Sequence, residues 1–349
     1  MKTDNLVSSV SLTSEASLLK IFRQDKIWRI IVENPWQNTD NTRLEYMFSE
    51  NPSDSSCIKV PVKKIVCFSS SHAAYISILG EQEKITGISG LRFICDSTII
   101  RLAAIGKINE VGYENNLNFD FFVKEKPDVA LIYGVGTEHA MYISRLEELG
   151  IKVLYIAEYL ETSPLGRLEW IKLFGILLGN YDKADSIFNS KCNTYKSLLK
   201  EKTSRIKPPL VFSGSPIGDN WYIPGGNSFM ANIIKDAGGN YIYSSDSRNE
   251  SFPLSFESAY KELISADIWI NCDLSSEIIY SASGDSRFKA IKSAKNKNIW
   301  TNAAKINKNG GNDFWESAVV NPEILLKDIR SALFPDLYKG YDQKYYRKL

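Results

Sequence analysis

Residues 163–206 read SPLGRLEWIKLFGILLGNYDKADSIFNSKCNTYKSLLKEKTSRI, and the fold turns on how this stretch is read. It reads as helix and little else. Ala184, Ile187, Phe188, Tyr195, Leu198 and Leu199 recur at three- and four-residue intervals, the spacing that keeps one helical face buried. A single helix over residues 182–205 would be roughly 36 Å long, about the span of a small domain. A β/α alternation precedes it, and the same kind of alternation starts again after it. A long, stiff helix between two α/β lobes holds them at a nearly fixed separation, and what sits between them becomes the question.

Working outward, the first lobe opens at Val62. Short β-branched runs at 65–68, 85–88, 129–133 and 153–156 each read as a buried parallel strand, with helices at 73–79 and 141–149. Pro127-Asp128 and Gly150 supply the stops between helix and strand. Pro208-Pro209 ends the central helix and opens the second lobe, with strands expected at 210–213, 220–223, 268–271 and 298–300 and helices at 228–237, 256–264, 285–290 and 322–332. Ahead of both lobes, residues 1–17 read as a flexible lead, and 19–22, 28–32 and 46–48 as a small β-meander. The expected fold is α/β: two Rossmann-like lobes joined by one long backbone helix, with a small N-terminal β extension. The divisions fall at 1–61 (extension), 62–162 (first lobe), 163–207 (linking helices) and 208–349 (second lobe and tail).

Composition excludes several function classes. Hydrophobic residues make up 44% and charged residues 24% of the 349, ordinary globular values, and the formal net charge is +1, so no basic field points to nucleic acid or an anionic membrane. Five scattered cysteines without CxxC spacing argue against a zinc or iron–sulfur centre, and two histidines leave little room for imidazole chemistry. No apolar run approaches the length of about 20 residues that crosses a bilayer.

In open α/β sheets, ligands bind beyond the carboxyl ends of the strands. Those ends carry loops at 69–73, 89–93, 113–118, 134–139 and 158–159 in the first lobe. In the second they lie at 214–221, 241–252, 272–277 and 303–315. Both sets are rich in aromatics, Ser, Asn and Gly. Facing lobes would form one aromatic-lined cleft.

Several short motifs then follow in a telling order: VCFSSSH (66–72), NFDFFVKEKPDV (118–129), LGIKV (149–153), GGNSF (225–229), DAGG (236–239), LSFE (254–257), NDFWE (312–316) and NPE (321–323). In that order, around a central helix, they resemble the helix-linked, two-lobed substrate-binding proteins of ABC importers for iron–siderophores, haem and cobalamin. The resemblance covers about Val62 to the C-terminus. It implies an extracytoplasmic protein, periplasmic or lipid-anchored, which the polar Ser/Thr-rich opening fits as a chain whose leader has been removed. It also implies a monomer without a catalytic group or cofactor, working with a permease dimer. One carboxylate on each lobe would dock into the permease; the matching positions are Asp120 and Glu257, where Asp120 stands one methylene shorter than the family's usual Glu. The ligand contacts it implies are Tyr113, Tyr133 and Tyr159 on the first lobe and Trp221, Tyr222, Phe252, Phe314 and Trp315 on the second. Their rings would stack on a macrocycle or catecholate, with Arg92 or Arg248 pairing to its anionic groups. His72 and His139 fall near cleft loops and are the imidazoles available for axial ligation of haem.

The alternative is a nucleotide-dependent two-lobed enzyme such as a glycosyltransferase. Gly134-Val135-Gly136 follows a strand, and Glu158 lies 22 residues beyond Gly136, as in the dinucleotide fingerprint. The third glycine is missing, however, and His139 takes its place. A serine hydrolase is disfavoured too, because Gly87-Ile88-Ser89-Gly90 is one residue short of the nucleophile elbow.

Overall fold

Ile65–Cys67, the first strand of the first lobe, lies fully buried at the centre of a five-stranded sheet rather than at its edge. The computed structural model describes residues 10–53, 56–113, 116–134, 141–201, 207–217, 220–273 and 286–349. Across the sheet the order is Asn109–Glu110, Ile85–Ile88, Ile65–Cys67, Val129–Ile132 and Lys152–Tyr155, all parallel. The chain winds outward on one side, crosses over, and winds outward on the other. That leaves a switch point between Ile65–Cys67 and Val129–Ile132, where such sheets hold ligands. Cover on both faces explains why these strands read as continuous apolar runs instead of alternating ones. Helix Ser70–Ile78 starts at this switch point, with the Ser69 hydroxyl accepting from the Ser71 amide as its N-cap.

The second lobe repeats the scheme on a smaller scale. Asn240–Tyr241, Leu210–Ser213 and Ile268–Ile270 form a parallel sheet, in that order. Asn220–Pro224, expected beside them, pairs instead with Pro216–Ile217 and Ser251–Ser255 in a separate antiparallel sheet. Its sequence carries the reason: Trp221 and Ile223 are buried while Asn220 and Tyr222 are exposed, the alternation of a strand with one wet face.

The linking region is three helices, not one rod. Pro164–Glu169 and Ile171–Leu178 precede Tyr181–Lys200, and Gly179, at φ 76°, ends the second of them. The 20-residue helix Tyr181–Lys200 spans about 30 Å and stops short of the expected Arg205; residues 202–206 lie outside the described residues. Its buried face is Ala184, Phe188, Cys192, Tyr195 and Leu198, whereas Leu199 is 40% exposed. Ile171–Leu178 is buried on every side because it is enclosed by its neighbours. Phe174 stacks on Tyr75 of the first lobe at 4.6 Å, and Gly175 packs so closely on Ala184 that a Cβ there would come within 2.5 Å of it. Toward the second lobe, the Tyr195 hydroxyl donates to Asp236 at 2.6 Å and Lys191 pairs with Glu323 at 2.5 Å.

The amino-terminal extension is a four-stranded sheet of Leu19–Gln24, Ile27–Glu33, Arg43–Ser49 and Ile58–Lys59. Its inward side chains, among them Leu19, Ile21, Ile30 and Phe48, join the main core. The expectation of a flexible lead fails for residues 10–17. The fully buried Glu169 carboxylate accepts backbone N–H bonds from Ser14, Glu15 and Ala16 at 2.7–2.9 Å, while Glu161 accepts from Ser17 and Leu18. Glu161 at the end of the first lobe and Glu169 on the linking helices thus fasten a strap that composition alone reads as loose.

Candidate functional site

The ends of the two parallel sheets open onto a cleft of about 1590 Å³. Ser70, Phe93, Tyr159 and Arg167 face it from the first lobe and the linking helices, and Ser213, Tyr222, Phe229 and Asn271 from the second. At its floor, Arg167 donates from Nε to the Glu161 carbonyl at 2.9 Å and from a terminal nitrogen to the Tyr159 carbonyl at 2.7 Å, with its guanidinium 3.9 Å above the Phe229 ring. Burial lowers the Arg167 pKa to about 10, against the opposing pull of Glu158, Tyr75 and Glu161, so the side chain stays cationic near neutrality. The sequence reading passed over Arg167. The helical stretch 163–178 also carries Glu169 and Lys172, so no local pattern sets Arg167 apart.

Of the residues expected to line the site, Tyr159, Tyr222, Phe314, Trp315 and Arg248 do so. Tyr222 and Trp315 are well exposed, and the Phe314 ring stands edge-on to Trp315 at 4.7 Å. Arg248 is already paired with Asp246 at 2.5 Å and lies 3.4 Å over the Phe252 ring. The Tyr159 hydroxyl donates to the Gly134 carbonyl. Tyr133 sits behind it, edge-on at 6.2 Å, outside the lining.

Other expectations are corrected. Trp221 is fully buried among Phe212, Phe256 and Trp269, and Phe252 is buried against Tyr243; both are core of the second lobe. The same alternation that exposes Tyr222 turns these two inward. Tyr113 and Arg92 lie outside the cleft lining; Arg92 stacks on Phe93 at 4.5 Å, and its carbonyl is held by the side chains of Asn307 and Asn309. His72 is wholly buried behind the switch point, with Nδ1 3.2 Å from the Leu131 carbonyl, and burial depresses its pKa to about 3. It is a neutral core histidine out of reach of a cleft ligand. His139 and Gly136 lie outside the described residues. The dinucleotide reading loses its remaining elements: a Cβ on Gly134 would sit 2.6 Å from the Cβ of Trp36, and Glu158 is buried, accepting a hydrogen bond from the Ser71 hydroxyl.

Asp120 and Glu257 occupy matching settings on the two lobes. Each is exposed and sits second in its helix, Phe119–Glu125 or Phe256–Leu263. In each, the residue two places earlier, Asn118 or Ser255, caps the helix by accepting an amide hydrogen bond.

A family profile described as periplasmic binding protein matches residues 65–301. The chain belongs to the periplasmic binding protein family. This binding protein is 25% identical over 301 residues to an uncharacterized lipoprotein of Methanocaldococcus jannaschii, covering 83% of this chain and 70% of the relative. In fold it is similar to a possible iron-binding periplasmic solute-binding protein of Staphylococcus epidermidis, with a TM-score of 0.58, 19% identity and coverage of 78% of this chain and 99% of that one. A periplasmic haem-binding protein of Vibrio cholerae gives a TM-score of 0.59, 17% identity and the same coverages of 78% and 99%. Family and neighbours are solute-binding proteins rather than enzymes, and the family works outside the cytoplasmic membrane. Among the described residues, no helix is long and apolar enough to cross a membrane.

Proposed function

We propose that this protein is the substrate-binding component of an ABC importer, capturing a metal chelate in the inter-lobe cleft and delivering it to a permease dimer. The observation that carries this reading is the cleft itself. At about 1590 Å³ it exceeds the usual range of small-molecule sites, roughly 300–1,000 Å³, and suits a siderophore- or corrinoid-sized ligand. The exposed rings of Tyr222 and Trp315, with Tyr159 and Phe314, supply flat apolar faces, and Arg167 supplies a fixed cation. A ferric siderophore is the first choice of cargo, a corrinoid the second and haem the third. The M. jannaschii relative's lipoprotein character supports an anchored form, tethered near its permease. Asp120 and Glu257, one per lobe at capped helix starts, are the proposed docking acids.

The test is a tryptophan-fluorescence titration with ferric siderophores, cyanocobalamin, haemin, NAD and UDP-sugars, corrected for absorption by the coloured ligands. Saturable binding at micromolar concentration or tighter is expected for one chelate or corrinoid. Binding confined to a nucleotide would overturn the proposal.

A further inference from the structure

The cleft has a wall that neither lobe provides. The loop joining Ile27–Glu33 to Arg43–Ser49 in the amino-terminal sheet brings Asn34, Trp36, Gln37, Asn38, Thr39 and Asp40 into the lining. The loop is tightly built. The Asn34 amide donates to the Thr42 carbonyl at 2.7 Å, the Thr42 amide donates to the Asn34 side chain at 3.2 Å, and the Thr39 hydroxyl donates to the Trp36 carbonyl. Asn34 and Asn38 adopt positive φ, as Asn tolerates in such turns.

It is also anchored to the first lobe at the switch point. Trp36 forms a parallel bridge with Gly134 and sets its ring against Tyr155, tilted, at 5.2 Å, and Gly134 in turn accepts from the Tyr159 hydroxyl. The Trp36 indole N–H is buried and has no partner among the described residues. Residues 34–40 therefore keep a set position at the cleft, although they lie outside the family-matched residues 65–301.

The charge this wall adds is negative. Among the described residues, the charged side chains lining the cleft are Asp40, Glu161, Glu250, Asp273, Arg167 and Arg248. Glu161 is occupied by the amino-terminal strap, and Arg248 is neutralised by Asp246. Asp40 from the extension, with Glu250 and Asp273 from the second lobe, then stands against Arg167. Glu250 acts electrostatically on Tyr159, which lines the same cleft. The Asp40 and Glu250 carboxylates are both exposed, so their field acts on a charged ligand from the solvent side of the cleft and weakens as salt rises.

Resting on the binding-protein reading above, we propose that residues 34–40 form a third wall of the ligand site and that Asp40, with Glu250, makes the site select uncharged or cationic chelates over polyanionic ones. The wall supplies hydrogen-bonding amides and carboxylates, fitted to the N–H and O–H groups of a chelate's periphery, while the aromatic side takes its apolar face.

The experiment measures affinities of the intact protein and of the single variants Asp40→Asn and Glu250→Gln for five probes. These are cationic ferrioxamine B, uncharged ferrichrome and cyanocobalamin, and anionic haemin and ferric enterobactin. The unmodified protein is expected to bind a cationic or uncharged probe at least tenfold more tightly than either anionic one. Each variant should narrow that ratio several-fold, chiefly by strengthening anion binding, with its thermal midpoint preserved because neither carboxylate serves the core. A preference for an anionic probe, or a selectivity ratio unchanged in Asp40→Asn, overturns the inference while leaving the binding-protein reading standing. Failure of the unmodified protein to bind any of the five would overturn both.

Discussion

Glu316 shows how one side chain ties the two lobes together away from the linking helix. Its buried carboxylate, on the second lobe, accepts from the Cys95 amide at 2.5 Å and the Asp96 amide at 2.9 Å on the first. Asn307 adds bonds to the Arg92 and Ile94 carbonyls, and Gly311 sits where any Cβ would strike the Phe93 carbonyl. Burial is the main cause that raises the Glu316 pKa from 4.5 to about 7; Asp313 and Asp96 push the same way, and the two amides oppose them. The folded protein therefore binds this proton more tightly than the unfolded chain. Stability from this group is greatest below about 4.5 and is lost as pH rises toward about 7. His72 slopes oppositely, because its depressed pKa makes the folded state resist protonation below 6.5. The wild-type profile sums the two, so the Glu316 contribution must be read as a difference. We expect the thermal midpoint of the wild type, measured against Glu316→Gln, to fall between about pH 5 and pH 7. A constant difference across that window would mean that Glu316 does not titrate there.

At the scale of elements, the amino-terminal sheet stays on the body through buried ionic contacts as well as apolar ones. Glu169 receives three backbone amides from the strap and the Lys172 ammonium at 3.0 Å, and Lys172 also reaches Asp185 at 3.1 Å. Removing a carboxylate from such a setting strands buried donors and a buried cation, which costs about 3 kcal/mol. Glu169→Ala should accordingly lower the urea-unfolding free energy by about that amount. It should also make residues 10–18 susceptible to proteolysis under native conditions. Unchanged protease resistance would show that the apolar contacts of Leu19, Ile21 and Phe48 hold the strap without the carboxylate.

For the whole molecule, the linking helices and the Glu316 contact attach the lobes at two places, and we expect closure on a ligand to be small. Asp120 and Glu257, the proposed docking acids, are exposed on their lobes. A helix-start acid is worth only about 0.3–1 kcal/mol through the helix dipole. The double change Asp120→Ala/Glu257→Ala should therefore leave the fold and chelate affinity nearly intact while abolishing uptake in cells carrying the cognate permease. Undiminished uptake would remove the docking assignment.

The sequence by itself determined the alternation of short apolar strands and helices, the helical linker and the order of the binding-protein motifs. All of these depend on local periodicity and turn chemistry, which neighbouring residues dictate. It also indicated Tyr159, Phe314 and Trp315, since segments beyond the strand ends face the cleft in this topology. Only the tertiary structure decided which way each ring turned. Trp221 and Tyr222 are adjacent, and the pleat of an antiparallel strand buries one and exposes the other. Tertiary structure also decided the partners of buried charge. Glu169 meets Ser14, and Glu316 meets Cys95, across 155 and 221 residues, and no local pattern encodes a contact at that range. The third wall of the cleft was hidden for the same reason: Trp36 reaches the site only because a distant sheet places Gly134 beneath it.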